Sequence, residues 1–286
     1  MGSGTFTSTS YKSYSTSLGR DYDEDSGRVS GQSFEARSID EDLDPRRFQI
    51  RECCNSEEHP NTIPVILALD VTGSMGPACA ETAAALGVII TNLYEKFKDI
   101  EFCVMGIGDL AYDYAPIQMS QFESDIRIAE SLDKIYMEMG GGGNGFESYT
   151  AAWYMGLNRT KLDCWEQGRK GIIITMGDEP LNPYLPYRKL NSFINSSERK
   201  DVETKELYEL VSKKFYVYHI SVSDKETCYE HYKRECDETW KKLLKENYHI
   251  STINRLAETI ENCIEISYSP DNIIIESVNE NGEISW

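Results

Sequence analysis

One stretch constrains the chain more than any other: Ile63 to Gly76, read as IPVILALDVTGSMG. Seven residues without a polar side chain run into a carboxylate at Asp70, and two hydroxyls and two glycines follow. So apolar a run with so sharp an end predicts a parallel strand buried on both faces. In open α/β sheets the residues just past the carboxyl end of such a strand line the ligand crevice. Asp70, Thr72 and Ser74 alternate along that exit, so three oxygen-bearing side chains can turn toward one point. Gly73 and Gly76 permit the tight backbone this needs. Pro77 suits the first turn of a following helix, where a missing N–H costs little.

The same reasoning extends along the chain. Apolar runs at Ile100–Ile107, 171–176 and Phe215–Val222 predict further buried strands, with a short edge strand near 117–120 and a last one at 249–251. Helical spacing predicts helices over 78–97, 125–139, a segment ending at 157, 202–213, 225–247 and 253–264. Within the 225–247 helix, Trp240 and Leu243 are expected to face inward. Strands alternating with helices indicate an α/β fold, doubly wound, with a mostly parallel central sheet flanked by helices.

Composition sets the margins. Residues 1–47 combine a Ser/Thr/Tyr tract with acidic clusters and almost no large aliphatic residues, so they are expected to form a tail, disordered or ordered only on assembly. Residues 48–266 form the folded domain and 267–286 a C-terminal tail. A formal net charge of −19 argues against nucleic acid and against anionic membrane surfaces. No apolar run is long enough to span a bilayer and the N-terminus is polar, so a soluble, cytoplasmic protein is expected. Eight scattered cysteines with no C-x-x-C pair read as reduced thiols. The group Cys228, His231 and Cys236 lacks a fourth zinc ligand, and His219 and His249 read as satisfied core groups.

Topology alone brings three loops together. Asp70 and Asp178 each follow an apolar strand and lie at the carboxyl edge of the sheet. The loop GGGGNGFES (140–148) opens a helix that runs antiparallel to the strands, so Asn144 and Glu147 are carried to that same edge. The set offers only oxygen, which suits hard Mg²⁺ or Mn²⁺. An open site of that kind accepts a carboxylate from outside.

Asp70-Val71-Thr72-Gly73-Ser74 resembles the D-x-S-x-S element of von Willebrand factor A-type domains, with their metal-ion-dependent adhesion site. Thr72 stands in place of the middle serine. GGGGNGFES resembles the second-loop element, with Phe146 where proline is usual, and GIIITMGDEP resembles the third. The resemblance spans roughly residues 60–265 and implies a three-layer, Rossmann-like sandwich of the bacterial intracellular type. It implies metal ligands at Asp70, Thr72 and Ser74, with Asn144 and Glu147 as alternatives in the second loop and Asp178 beyond the atoms that touch the ion. The function implied is Mg²⁺-dependent binding of an acidic residue of a protein partner, an AAA+ ATPase or another component of an assembly, without catalysis. Two rivals remain: Mg²⁺-dependent phosphotransfer with Asp70 as nucleophile, and homo-oligomeric assembly through the N-terminal tail.

Overall fold

Side-chain alternation along the apolar run explains how the layers form. In the computed structural model, which describes residues 4–24, 29–30, 36–75, 77–138, 145 and 147–268, the run is strand β1 (Ile63–Asp70). Val65, Leu67 and Leu69 enter one hydrophobic cluster, and Ile66 and Ala68 enter another on the opposite face, as a period of two requires. Strands β2 (Ile100–Ile107), β3 (Ile117–Met119), β4 (Gly171–Gly177), β5 (Phe215–Val222) and β6 (Tyr248–Ser251) complete a sheet in the order β6-β5-β4-β1-β2-β3. All neighbours are parallel except β3, which runs antiparallel to β2. The chain is therefore an α/β protein with a mixed, mostly parallel central sheet flanked by helices.

Helices α2 (Pro77–Lys96), α3 (Arg127–Asp133) and the closing helix Leu256–Ser267 cover one face, through Ile90, Leu93, Leu132 and Ile260. Helices α4 (Thr150–Asn158), α5 (Tyr187–Ile194) and α6 (Thr204–Val211) cover the other, through Trp153, Leu190 and Leu207. The chain leaves β1 through α2 toward β2, then returns to lay β4 on the other side of β1 and leaves through α5 and α6. The β1–β4 boundary is thus where consecutive connections diverge to opposite faces, opening a crevice at the carboxyl edge. Pairing of Leu69 with Met176, of Asp70 with Ile107 and of Gly177 with Ser221 brings the strand ends into line there.

Two segments differ from the expectation for reasons visible in the contacts. The helix expected over 125–139 stops at Asp133. Beyond it, Gln118 on β3 takes over the backbone of Tyr136, accepting its N–H at 2.8 Å and donating to its carbonyl at 2.7 Å. Glu138 then accepts from the Ala115 N–H at 2.5 Å. Within the N-terminal segment, residues 8–17 form α1 (Ser8–Ser17), started by a capping box between Thr7 and Ser10. It docks through two anchors that a composition average conceals: Phe6 and Tyr11 are buried, and the Phe6 ring stacks 5.9 Å from Tyr94. Asp133 accepts from the Tyr14 hydroxyl at 2.7 Å and pairs with Arg20 at 2.8 Å. The C-terminal tail from 269 onward lies outside the described residues.

Phe6→Ala should lower unfolding stability by about 3 kcal/mol. Urea denaturation reads it as a lower midpoint at unchanged slope, and an unshifted midpoint would show that the segment contributes nothing to the core.

Candidate functional site

Asp70 ends β1 and Asp178 immediately follows β4, so two carboxylates stand on adjacent strand ends. Both are fully buried. Asp70 Oδ1 accepts the Thr72 N–H at 2.9 Å and the Thr72 hydroxyl at 2.6 Å. The Thr72 Oγ1 lies 3.1 Å from Ser74 Oγ, and the Ser74 hydroxyl donates to Asp178 Oδ1 at 3.0 Å. Four oxygens from two loops form one chain that reaches the surface at half-buried Ser74. Its three contacts share two hydroxyl protons. When both carboxylates are served, the Thr72–Ser74 contact has no hydrogen, and lone pairs face each other.

The remaining carboxylate oxygens are held from behind. Asp70 Oδ2 accepts from the Tyr149 hydroxyl at 2.5 Å, and Asp178 Oδ2 accepts from the Cys228 N–H at 2.7 Å. Cys228 caps α7 (Tyr229–Cys236), which runs on through a π-helical turn at Asp237–Lys241 into Lys242–Leu244. Such turns insert an extra residue into a helix. From this turn Trp240 Nε1 donates to the Glu179 carbonyl at 3.0 Å, and Thr239 Oγ1 accepts from the Leu181 N–H at 3.2 Å. One helical run therefore grips the loop after β4 at three points. The Trp240 ring lies flat on His219, with centroids 3.6 Å apart. His219 is only half satisfied: Nδ1 meets the Thr175 hydroxyl at 2.9 Å, while Nε2 has no hydrogen-bond partner among the described residues.

Around this chain lie further buried carboxyl groups with few partners. Asp109, Glu147 and Glu179 are buried, and each has a carboxylate oxygen without a hydrogen-bond partner among the described residues. The charges acting most strongly on Glu147 and Glu179 are all other carboxylates: Asp70, Asp109 and Asp113 on both, with Glu179 and Asp178 respectively. Burial first, and these neighbours second, push Glu179 up to about 8 and Glu147 higher still, to about 11. Burial and the Asp178 charge push Asp70 up to about 7, and burial raises Asp178. Asp113 rises to about 6, mainly by burial.

Of the residues singled out from sequence, Asp70, Thr72, Ser74 and Asp178 meet in the oxygen chain. Glu147 is near enough to feel the Asp70 charge but does not join it. Asn144 lies outside the described residues. Sequence reasoning missed Asp109, Tyr149 and the Cys228 amide. Asp109 had a signal, because Gly108-Asp109 follows β2 just as Gly177-Asp178 closes β4. Nothing local marks the other two.

Oxygens at right angles around Mg²⁺, bound at 2.0–2.1 Å, lie about 2.9 Å apart. The Thr72–Ser74 and Ser74–Asp178 spacings of 3.1 and 3.0 Å fit two edges of such an octahedron. Among the described residues no three His, Cys, Asp or Glu side chains group so as to hold a metal ion. Carboxylates alone make no cage, and any ion seated here depends on the two hydroxyls.

No family model matches the sequence, and no curated protein matches it. Solved structures that it resembles include the pilus adhesin SpaC from Lactobacillus rhamnosus GG. The open conformation has a TM-score of 0.49 at 10% identity, over 74% of this chain and 31% of the adhesin. A second form has a TM-score of 0.46 at 11% identity, over 74% and 32%. The chain thus spans about a third of the adhesin's length. These findings correct the resemblance drawn from the sequence. Membership of the von Willebrand factor A-type family, with its adhesion site, is not upheld: no family model matches, and the carboxylates form no metal-binding group among the described residues. The motif-like spacing is accounted for by two strand exits that place hydroxyls and carboxylates side by side. No described helix is long and apolar enough to cross a membrane.

A carboxyl whose pKa is raised by folding binds more protons folded than unfolded, so its stabilising share is full below the ordinary carboxylate range and is lost as pH rises through the raised value. In EDTA the melting temperature should therefore fall as pH rises from about 5 to about 8, between the ordinary carboxylate range and the raised values of Asp70 and Glu179. Glu179→Gln should flatten that fall. An equally steep fall in the variant would count against the cluster as its source.

Proposed function

We propose that the carboxyl edge of the sheet is a divalent-cation-dependent protein-binding surface, at which Asp70, Thr72, Ser74 and Asp178 hold Mg²⁺ or Mn²⁺. The observation that carries this reading is the continuous chain of four oxygens from two strand exits, in which Ser74 stands 3.1 Å from Thr72 and 3.0 Å from Asp178. A bound dication would offset the buried negative charge and offer open positions to an Asp or Glu side chain of a partner. Asp70 and Asp178 present one oxygen each, Thr72 lies buried beneath the mouth, and Ser74 stands at the surface.

The surroundings favour a protein partner. Tyr112 and Tyr114, on the loop after β2, and Tyr184, on the loop after β4, are exposed at 62, 65 and 43%. Lys189 on α5 ties that helix to the loop after β2 by donating to the Ala111 carbonyl at 2.9 Å. Exposed tyrosines are typical of protein interfaces, where a flat apolar ring and a polar tip serve together. Holding is favoured over attack on phosphorus because Asp70 is fully buried with both oxygens already hydrogen-bonded.

Mg²⁺ or Mn²⁺ should raise the melting temperature by mass action, by about 2.7 kcal/mol of stability at a hundredfold excess over Kd. Ser74→Ala should weaken binding by about tenfold or more. Calorimetry with the full chain checks both, and capture of a partner should require the ion and cease in EDTA. Binding of neither ion, or capture indifferent to EDTA, would end this reading.

A further inference from the structure

We infer that Tyr149, together with the Cys228 N–H, selects which cation the oxygen chain accepts, favouring six-coordinate Mg²⁺ or Mn²⁺ over Ca²⁺. The inference rests on the cation reading above and deepens it. A carboxylate can offer a metal one oxygen or two. Ca²⁺, with six to eight ligands at 2.3–2.6 Å, readily takes both, whereas Mg²⁺ takes single oxygens in a tight octahedron. Here both carboxylates are restricted by donors placed behind them. The Tyr149 hydroxyl occupies Asp70 Oδ2 at 2.5 Å and the Cys228 amide occupies Asp178 Oδ2 at 2.7 Å. Only the Oδ1 atoms face the Thr72 and Ser74 hydroxyls.

Tyr149 is held so that it cannot withdraw from this role. It is fully buried at the start of α4, with its ring centroid 5.2 Å from His219 and 5.6 Å from Trp240. Its hydroxyl also accepts the Glu179 N–H at 3.3 Å, so it bridges the strand exit at Asp70 to the loop after β4. The space it uses exists because residue 177 is glycine: a Cβ there would lie 2.2 Å from the tyrosine oxygen. Tyr149 is a positioning residue, acting on the ion through Asp70.

The test titrates Mn²⁺, Mg²⁺ and Ca²⁺ into the full-length wild type and Tyr149→Phe, reading affinities by calorimetry and Mn²⁺ binding by electron paramagnetic resonance. The wild type should bind Mn²⁺ and Mg²⁺ at least about tenfold more tightly than Ca²⁺, and Tyr149→Phe should shrink that ratio by about tenfold by gaining Ca²⁺ affinity, on the scale that partners behind metal ligands exert. A purely structural role would weaken all three ions together and leave the ratio unchanged, which overturns the inference while the cation reading stands. If Tyr149→Phe does not fold, the wild-type ratio decides, and Ca²⁺ bound as tightly as Mg²⁺ overturns the inference. Wild type that binds none of the three ions overturns both.

Discussion

Two buried carboxylates at the ends of neighbouring parallel strands are the constraint to which the rest of this molecule answers. The β1–β4 pairing places Asp70 and Asp178 side by side, and burial denies them the water that would screen their repulsion. Hydroxyls and an amide donate hydrogen bonds to them: the Thr72 and Ser74 hydroxyls in front, the Tyr149 hydroxyl and the Cys228 amide behind. Those donors come from the loop after β1, the start of α4 and the start of α7. The carboxylates thereby tie together elements that are distant in the chain.

This arrangement satisfies the two aspartates but leaves oxygens of neighbouring carboxyls without partners among the described residues. Glu147, Glu179 and Asp109 add further buried acid, and the strongest influences on the two glutamates are other acids. A fold optimised only for stability has no reason to gather such groups at one edge, since a buried polar group without a hydrogen-bond partner is costly.

How much of this was legible in the sequence depended on how local the cause was. Strands Ile100–Ile107 and Phe215–Val222 were legible to the residue and Ile63–Asp70 to within one, because burial on both faces makes each a dense run of apolar residues. Asp70, Thr72, Ser74 and Asp178 were legible because each lies at or just past such an end. The early stop of α3 was not, since it depends on Gln118, a strand residue that captures the Tyr136 backbone. Nor was the docking of α1, which two aromatic side chains achieve within a segment whose average composition argues for disorder. Tyr149 escaped notice for a similar reason: its role comes from stacking against His219 and Trp240, which no spacing encodes. The resemblance to a known adhesion domain went further than local motifs could support.

The helical run that begins at Cys228 carries a consequence of its own. Its π turn at Asp237–Lys241 accommodates one residue more than an ordinary helix would, and that surplus sets the angle between Cys228 at one end and Trp240 at the other. Deleting a single residue there would turn one end against the other by about 100°. Asp178 and the Glu179 carbonyl could then no longer be grasped by the same rod. The length of that segment is therefore fixed as firmly as the side chains of Thr239 and Trp240 within it.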